Sequence, residues 1–163
     1  MTASPSAPAS APTGAGRLDA VIVGIGVDLV DIPRFERSIA RTPRLLERLF
    51  APGERALKPH SLAARYAAKE ALIKALGGSE GVHWTDIEVA SEPSGRPVFA
   101  LTGETAETVD ARGIRSLHLS LSHDAGLATA YVIAESVGVS PAAASTHVPT
   151  EAAVATPAEG ASA

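Results

Sequence analysis

The stretch that most constrains this chain is Arg65-Tyr66-Ala67-Ala68-Lys69-Glu70-Ala71-Leu72-Ile73-Lys74-Ala75-Leu76-Gly77. Ala, Leu, Lys and Glu favour helix. No Pro interrupts the run, Ser61 stands upstream as an N-cap, and Gly77-Gly78 closes it. A helix from Ser61 to Leu76 is therefore expected. Leu62, Tyr66, Ile73 and Leu76 recur at three-to-four spacing as its apolar stripe, and Glu70 falls on that stripe. A carboxylate on the buried side of a helix needs a partner, because desolvating an unpaired charge is costly. Lys74, at i+4, can flank the same site. Arg65, Lys69 and the Tyr66 hydroxyl lie within two turns. Taken alone, a Glu–Lys pair at this spacing is equally what a solvated helix face shows.

A second constraint lies upstream. Ala20 to Val30 is rich in β-branched residues and reads as a strand. On a period of two, Val21, Val23, Ile25, Val27 and Leu29 share one face, while Ile22, Gly24, Gly26, Asp28 and Val30 share the other. Asp28 thus projects from a face that two glycines leave bare, where another segment or a ligand can come close. The glycine pair is not a dinucleotide fingerprint. Leu29 stands where a third Gly is required, and Pro33 follows soon after.

Charge is unevenly placed. From Arg34 to Lys74 there are ten basic residues against four acidic ones, a net +6 within a chain of net −4. Such a block suits an acidic partner or a polyphosphate ligand. Nucleic acid is the generic candidate, but only Phe35, Phe50 and Tyr66 accompany the block, and no helix-turn-helix or RNA-binding signature is present. There is no cysteine, which excludes thiolate chemistry and disulfides and is compatible with the cytoplasm. No run approaches transmembrane length, so no membrane span is expected. The first 16 residues lack the pattern of an export signal.

Residues 1–17 and 137–163 consist largely of Ala, Ser, Pro, Thr and Gly and are expected to be disordered tails around one domain, 18–136. Within it, helices are expected from Pro33 to Ala40, from Arg44 to Leu49 and, briefly, from Glu54 to Leu57. After the long helix come strands from Trp84 to Ala90 and from Pro97 to Leu101, a helix from Thr105 to Ala111, and strands from Ser116 to His123 and from Leu127 to Glu135. The last two join across an Asp124-Ala125-Gly126 turn. This order implies an α+β fold, a mostly antiparallel sheet packed against a long central helix.

Two carboxylates on inner faces, without cysteine and beside phosphate-seeking bases, suit Mg²⁺. That ion takes one or two carboxylates and fills its other positions with water and substrate phosphate oxygens. Lys74 would neutralise charge as a phosphate–oxygen bond breaks. Zn²⁺ fits less well, since the five histidines form neither HxxxH nor HExxH. The phosphate-binding pattern GxxxxGK[ST] and the serine-hydrolase elbow GxSxG are both absent. His123, at the end of a strand, is an exposed histidine aimed by its turn.

Three blocks then fall together: Gly24-Ile25-Gly26-Val27-Asp28-Leu29-Val30-Asp31-Ile32-Pro33-Arg34-Phe35, the helix Arg65–Gly77 with its Lys-Glu-Ala-x-x-Lys core, and Leu119-Ser120-Leu121-Ser122-His123-Asp124. In this order and spacing the chain resembles the holo-acyl-carrier-protein synthases, the small single-domain 4′-phosphopantetheinyl transferases of fatty-acid synthesis. The likeness runs from about Ala20 to Glu135, and the Pro93-Ser94-Gly95-Arg96-Pro97 turn resembles the family's Gly-Lys-Pro hairpin, with Arg for Lys at 96.

The resemblance implies the 4′-phosphopantetheinyl transferase fold. It also implies transfer of the phosphopantetheine arm of coenzyme A to a serine of an acidic apo-acyl carrier protein, releasing adenosine 3′,5′-bisphosphate. By likeness, Asp28 and Glu70 bind Mg²⁺ and Lys74 contacts the coenzyme A pyrophosphate. Arg65 and His123 hold the nucleotide and its 3′-phosphate, and Arg34 docks the carrier protein. The base for the serine is left open between Glu70, a metal-ordered water and Asp31. A homotrimer with sites between subunits is implied. Two rivals remain at this level. One is a transferase serving polyketide or peptide synthases, which usually has twice this folded length in two similar halves. The other is a non-catalytic adaptor for carrier protein, which needs no convergence of Asp28, Glu70 and Lys74.

Overall fold

In the computed structural model, which describes residues 20–137, strand β1 (Ala20–Asp31) leads into helices α1 (Ile32–Arg41), α2 (Arg44–Leu49) and α3 (Pro59–Ala75). A 3₁₀ turn (Trp84–Asp86) precedes β2 (Ile87–Ser91), β3 (Pro97–Leu101), α4 (Gly103–Ala111), β4 (Ile114–Asp124) and β5 (Leu127–Val137). One sheet has the order β1-β5-β4, and β2 pairs with β3 in a second; every pairing is antiparallel. The fold is α+β with α3 laid across the larger sheet, as the sequence implies. The tails expected at 1–17 and beyond 137 lie outside the described residues. Strand β5 runs to Val137, the last described residue.

Small residues decide how α3 meets the sheet. Ala128, Ala130, Val132 and Ala134 form the inner side of β5, all at 0% exposure, and Ala63, Ala67, Ala68, Ala71 and Leu72 answer them from α3. On β1, Gly24 and Gly26 face the helix. A Cβ at Gly24 would overlap the carbonyl oxygen of Ala75, and one at Gly26 that of Ala71. The bare face of β1 is therefore filled by the helix backbone itself. This corrects the expected helical stripe. The deeply buried face of α3 is its alanine face, while Tyr66, Glu70 and Ile73 are only half-buried at its margin.

The outward face of β1 keeps Ile25, Val27 and Leu29, as the period of two requires, and they are exposed. A bulge between Ile22 and Gly24 breaks the alternation at its start, so both Ile22 and Val23 face outward.

Other boundaries shift for local reasons. Helix α3 begins at Pro59 rather than behind Ser61, and Lys58 is an N-cap without a side-chain hydrogen bond. Proline at the first turn gives up no donor that the helix needs. The helix expected from Glu54 to Leu57 is a pair of turns, closed by Glu54 N–H to Ala51 O and Leu57 N–H to Glu54 O. Trp84 lies in the 3₁₀ turn, so β2 starts at Ile87. Asp124 pairs with Leu127, which leaves a two-residue hairpin turn at Ala125 (φ 49°) and Gly126 (φ 80°). Two positive φ values are what the twist of a tight hairpin demands. The helices α1 and α2 and strand β3 match expectation closely.

Candidate active site

The close approach of α3 to β1 brings Asp28 beside the helix. Lys74 donates from Nζ to Asp28 Oδ1 at 2.7 Å and to the carbonyl of Val27 at 3.0 Å. Its ammonium carries three donors, so one remains for a ligand. The Asp28 side chain is 16% exposed and that of Lys74 is 50%, a geometry open to solvent on the lysine side. The Asp28 backbone is pinned in turn, its carbonyl accepting from the Thr129 hydroxyl of β5 at 2.8 Å.

One turn back on α3, the Tyr66 hydroxyl donates to Glu70 Oε1 at 3.2 Å. Burial, followed by the negative charge of Glu70 and this hydrogen bond, pushes the Tyr66 phenol up to about 12. It therefore stays a donor at neutral pH. Its ring stacks on Trp84, with centroids 5.3 Å apart and planes at 15°, and meets Phe35 at 5.3 Å.

A cavity of about 580 Å³ opens between β1, α1, α2 and α3. Asp28, Asp31, Arg34, Phe35, Tyr66 and Glu70 are among its lining residues. The cavity thus collects both predicted carboxylates and the predicted docking arginine. Asp31 has a structural duty there: its Oδ1 accepts from the Arg34 N–H at 2.7 Å and caps α1.

Arg65 and His123 are not among the residues that line it. The Arg65 guanidinium turns toward the Ser61 carbonyl, at 3.3 Å, and toward Glu54, at 3.8 Å, and its buried Nε finds no hydrogen bond among the described residues. His123, exposed at the end of β4, has its ring 5.8 Å from that of His60.

Two residues of the basic block serve the core instead. Lys69, at 0% exposure, donates to Glu54 Oε2 at 2.6 Å, to Leu49 O at 2.8 Å and to Trp84 O at 3.2 Å. Glu54, at 1% exposure, also accepts from Ala51 N–H and Val89 N–H. Every charge in this cluster is compensated, the condition for burying an ion pair. Burial draws the Lys69 ammonium below its usual range, against the pull of Glu54. Sequence reasoning missed this pair; the one available signal was a Lys beside Glu70 with no role assigned. With Lys69 and Arg65 turned inward, the exposed bases Arg34, Arg37, Arg41, Arg44 and Arg48 on and around α1 and α2 carry the positive surface.

Among the described residues no group of three or more His, Asp or Glu converges as a metal cage. The donor set nevertheless fits a hard cation that takes one or two carboxylates and leaves its other positions to water and phosphate oxygens. Asp28 and Glu70 border the same cavity. Each is held by a single side-chain donor through one oxygen, and neither Asp28 Oδ2 nor Glu70 Oε2 takes a hydrogen bond from a described residue.

Comparison with known proteins places this geometry. Residues 24–132 match the family model of the 4′-phosphopantetheinyl transferase superfamily. A holo-[acyl-carrier-protein] synthase of Clavibacter michiganensis subsp. michiganensis is 59% identical over 115 residues, covering 71% of this chain and 97% of that protein. The structure resembles the holo-[acyl-carrier-protein] synthase of Helicobacter pylori in complex with coenzyme A, with a TM-score of 0.60 and 38% identity over 70% of this chain and 99% of that one. It also resembles the Neisseria meningitidis enzyme, with a TM-score of 0.66 and 31% identity over 70% of this chain and 98% of that one. The cavity at the crossing of β1 and α3 therefore belongs to a transferase, and the chain is a member of the holo-[acyl-carrier-protein] synthase family within the 4′-phosphopantetheinyl transferase superfamily.

Proposed function

We propose that this protein transfers the 4′-phosphopantetheine arm of coenzyme A to a serine of an acidic apo-acyl carrier protein, with Mg²⁺, in the cytoplasm and for fatty-acid synthesis. The observation that supports the reading is a convergence at one crossing of strand and helix: Lys74 binds Asp28, and Asp28 lines one cavity with Glu70 and Arg34, while Lys74 itself is not among the lining residues. A non-catalytic adaptor gives no reason for that convergence.

Asp28 and Glu70 are the residues that would hold Mg²⁺, which when bound supplies positive charge to the coenzyme A pyrophosphate. Lys74 holds Asp28 in place through Oδ1, and its free donor reaches toward the same pyrophosphate. In the reaction the carrier serine oxygen forms a bond to the phosphorus that bears the pantetheine arm. The bond from that phosphorus to the bridging oxygen breaks, and adenosine 3′,5′-bisphosphate leaves with the electron pair. Lys74 offsets the charge gathering on the leaving phosphate. The serine proton passes to a carboxylate of the site, directly or through water. Glu70 is favoured over Asp31, whose carboxylate already caps α1.

Arg34 stands at the cavity rim among exposed arginines and suits an acidic partner. Arg65 and His123 are assigned to the nucleotide and its 3′-phosphate by resemblance, since this chain's cavity does not gather them. The quaternary state that fits is a homotrimer whose sites are completed between copies. Its support is the outward face of the larger sheet, where Ile25 (66% exposed), Leu29 (62%), Tyr131 (57%) and Val27 (45%) form an apolar patch.

Intact-mass spectrometry of apo-acyl carrier protein incubated with coenzyme A, Mg²⁺ and this protein tests the reading. Gain of one phosphopantetheine mass is expected, and its absence sinks the assignment.

A further inference from the structure

Glu70 is a long side chain at the margin of α3, and its position in the cavity depends on what holds it. Among the described residues its carboxylate has one hydrogen-bond partner, the Tyr66 hydroxyl at 3.2 Å. That hydroxyl is itself fixed. The Tyr66 ring lies flat on Trp84 and against Phe35, and Phe35 is braced edge-on by Phe50 at 6.2 Å. Phe35 is 7% exposed and Phe50 0%, so this aromatic wall is part of the core and moves little. Packing alone would be served by a phenylalanine at position 66. The hydroxyl adds a single feature, a donor aimed along the helix at Glu70 and into the cavity that both residues line.

We propose that Tyr66 is a positioning residue: its hydroxyl holds Glu70 Oε1 so that Oε2 is presented to the cavity, and it thereby sets the affinity of the site for a divalent cation. This rests on the reading of Glu70 as a cation ligand. Asp28 shows the same device, since Lys74 holds its Oδ1. The two carboxylates are thus each fixed through one oxygen by a donor on α3. Partners of this kind orient ligating groups, and their loss weakens metal binding. Without the hydroxyl, Glu70 must be ordered by the cation itself, and the entropy of its rotamers counts against binding.

The test is Tyr66→Phe, which keeps the ring and removes only the donor. Mn²⁺ is titrated into the protein with coenzyme A present, and free Mn²⁺ is read by electron paramagnetic resonance. Thermal unfolding is followed alongside. The expected result is an unfolding midpoint close to that of the unchanged protein and Mn²⁺ binding weakened about tenfold, the lower end for loss of a supporting partner. Transfer by this variant should need correspondingly more metal for half-maximal rate while the rate at saturating metal falls less. Equal Mn²⁺ affinity in Tyr66→Phe and the unchanged protein overturns the positioning role. Glu70→Gln in the same titration separates the two readings. If it loses affinity while Tyr66→Phe does not, only the Tyr66 proposal falls. If Glu70→Gln binds Mn²⁺ as the unchanged protein does, Glu70 is no ligand and both readings fall.

Discussion

Gly26 of β1 and Ala71 of α3 meet backbone to backbone, so closely that a Cβ on Gly26 would overlap the Ala71 carbonyl oxygen. Asp28 follows Gly26 by two residues on the same face of the strand, and Glu70 and Lys74 flank Ala71 on the helix. The contact therefore sets the distance across which the site is built. Gly26→Ala should force strand and helix apart, at about 3 kcal/mol, the upper range for overpacking because backbone cannot rotate away. Urea unfolding measures the loss, and transfer activity should fall with it. A variant of unchanged stability would show that the crossing tolerates a wider gap.

The Glu54–Lys69 pair predicts an asymmetry. Lys69→Met leaves Glu54 buried without its ammonium and should cost about 3–5 kcal/mol in urea unfolding, the range for breaking a buried pair. Lys69→Met combined with Glu54→Gln should cost less than the two single losses added together, because the uncompensated charge is gone. Additive losses would show that the two side chains do not act as a pair.

The pair of His83 and Glu104 on the surface gives a pH dependence. Their hydrogen bond, 2.8 Å long, raises the imidazole above 6.5. A group raised on folding stabilises fully below its unfolded value, and the effect is lost as pH rises through the folded value. Being exposed, it contributes little to stability, so the ring itself is the better readout. In an NMR titration His83 should show a midpoint above 6.5, and Glu104→Gln should bring it back toward that value. An unmoved midpoint would remove Glu104 as the cause.

Arg34→Glu reverses charge at the rim of the cavity without touching the Asp28–Lys74 contact. It should weaken carrier-protein affinity about tenfold or more, the scale of a like-charge contact at an interface, and leave coenzyme A affinity nearly unchanged. Titration calorimetry with each ligand separates the two. Equal losses would place Arg34 in the coenzyme A site rather than the docking surface.

The convergence of Asp28 with Glu70 and Lys74 was legible because it broke local rules. Two glycines thinned one face of an otherwise β-branched strand, and a carboxylate interrupted an apolar stripe. The alternation on β1 defined two faces, and the glycine-thinned one that carries Asp28 reads as the inner face, as the structure has it. The bulky Ile25, Val27 and Leu29 stayed outside because the helix packs against the thin side. The Glu54–Lys69 pair was illegible for a different reason. Glu54 sits just after Pro52-Gly53, where no periodicity assigns it a face, and its donors come from Ala51, Lys69 and Val89. The hold of Tyr66 on Glu70 had a visible i, i+4 spacing, but its meaning depended on the Trp84 stack, which only the fold supplies.

A double-mutant cycle on phosphopantetheine transfer tests most directly whether Asp28 and Glu70 act as one centre. The rate of mass gain on apo-acyl carrier protein is measured for the unchanged protein, Asp28→Asn, Glu70→Gln and the pair combined, each checked for an unchanged fold by circular dichroism. Each single change should lower the rate about a hundredfold or more, the scale of losing an electrostatic stabiliser at a reacting centre. The double variant should be no slower than the worse single one, as for residues that work as a unit. Losses that multiply in the double variant, or a Glu70→Gln protein that turns over at the unchanged rate, would contradict it.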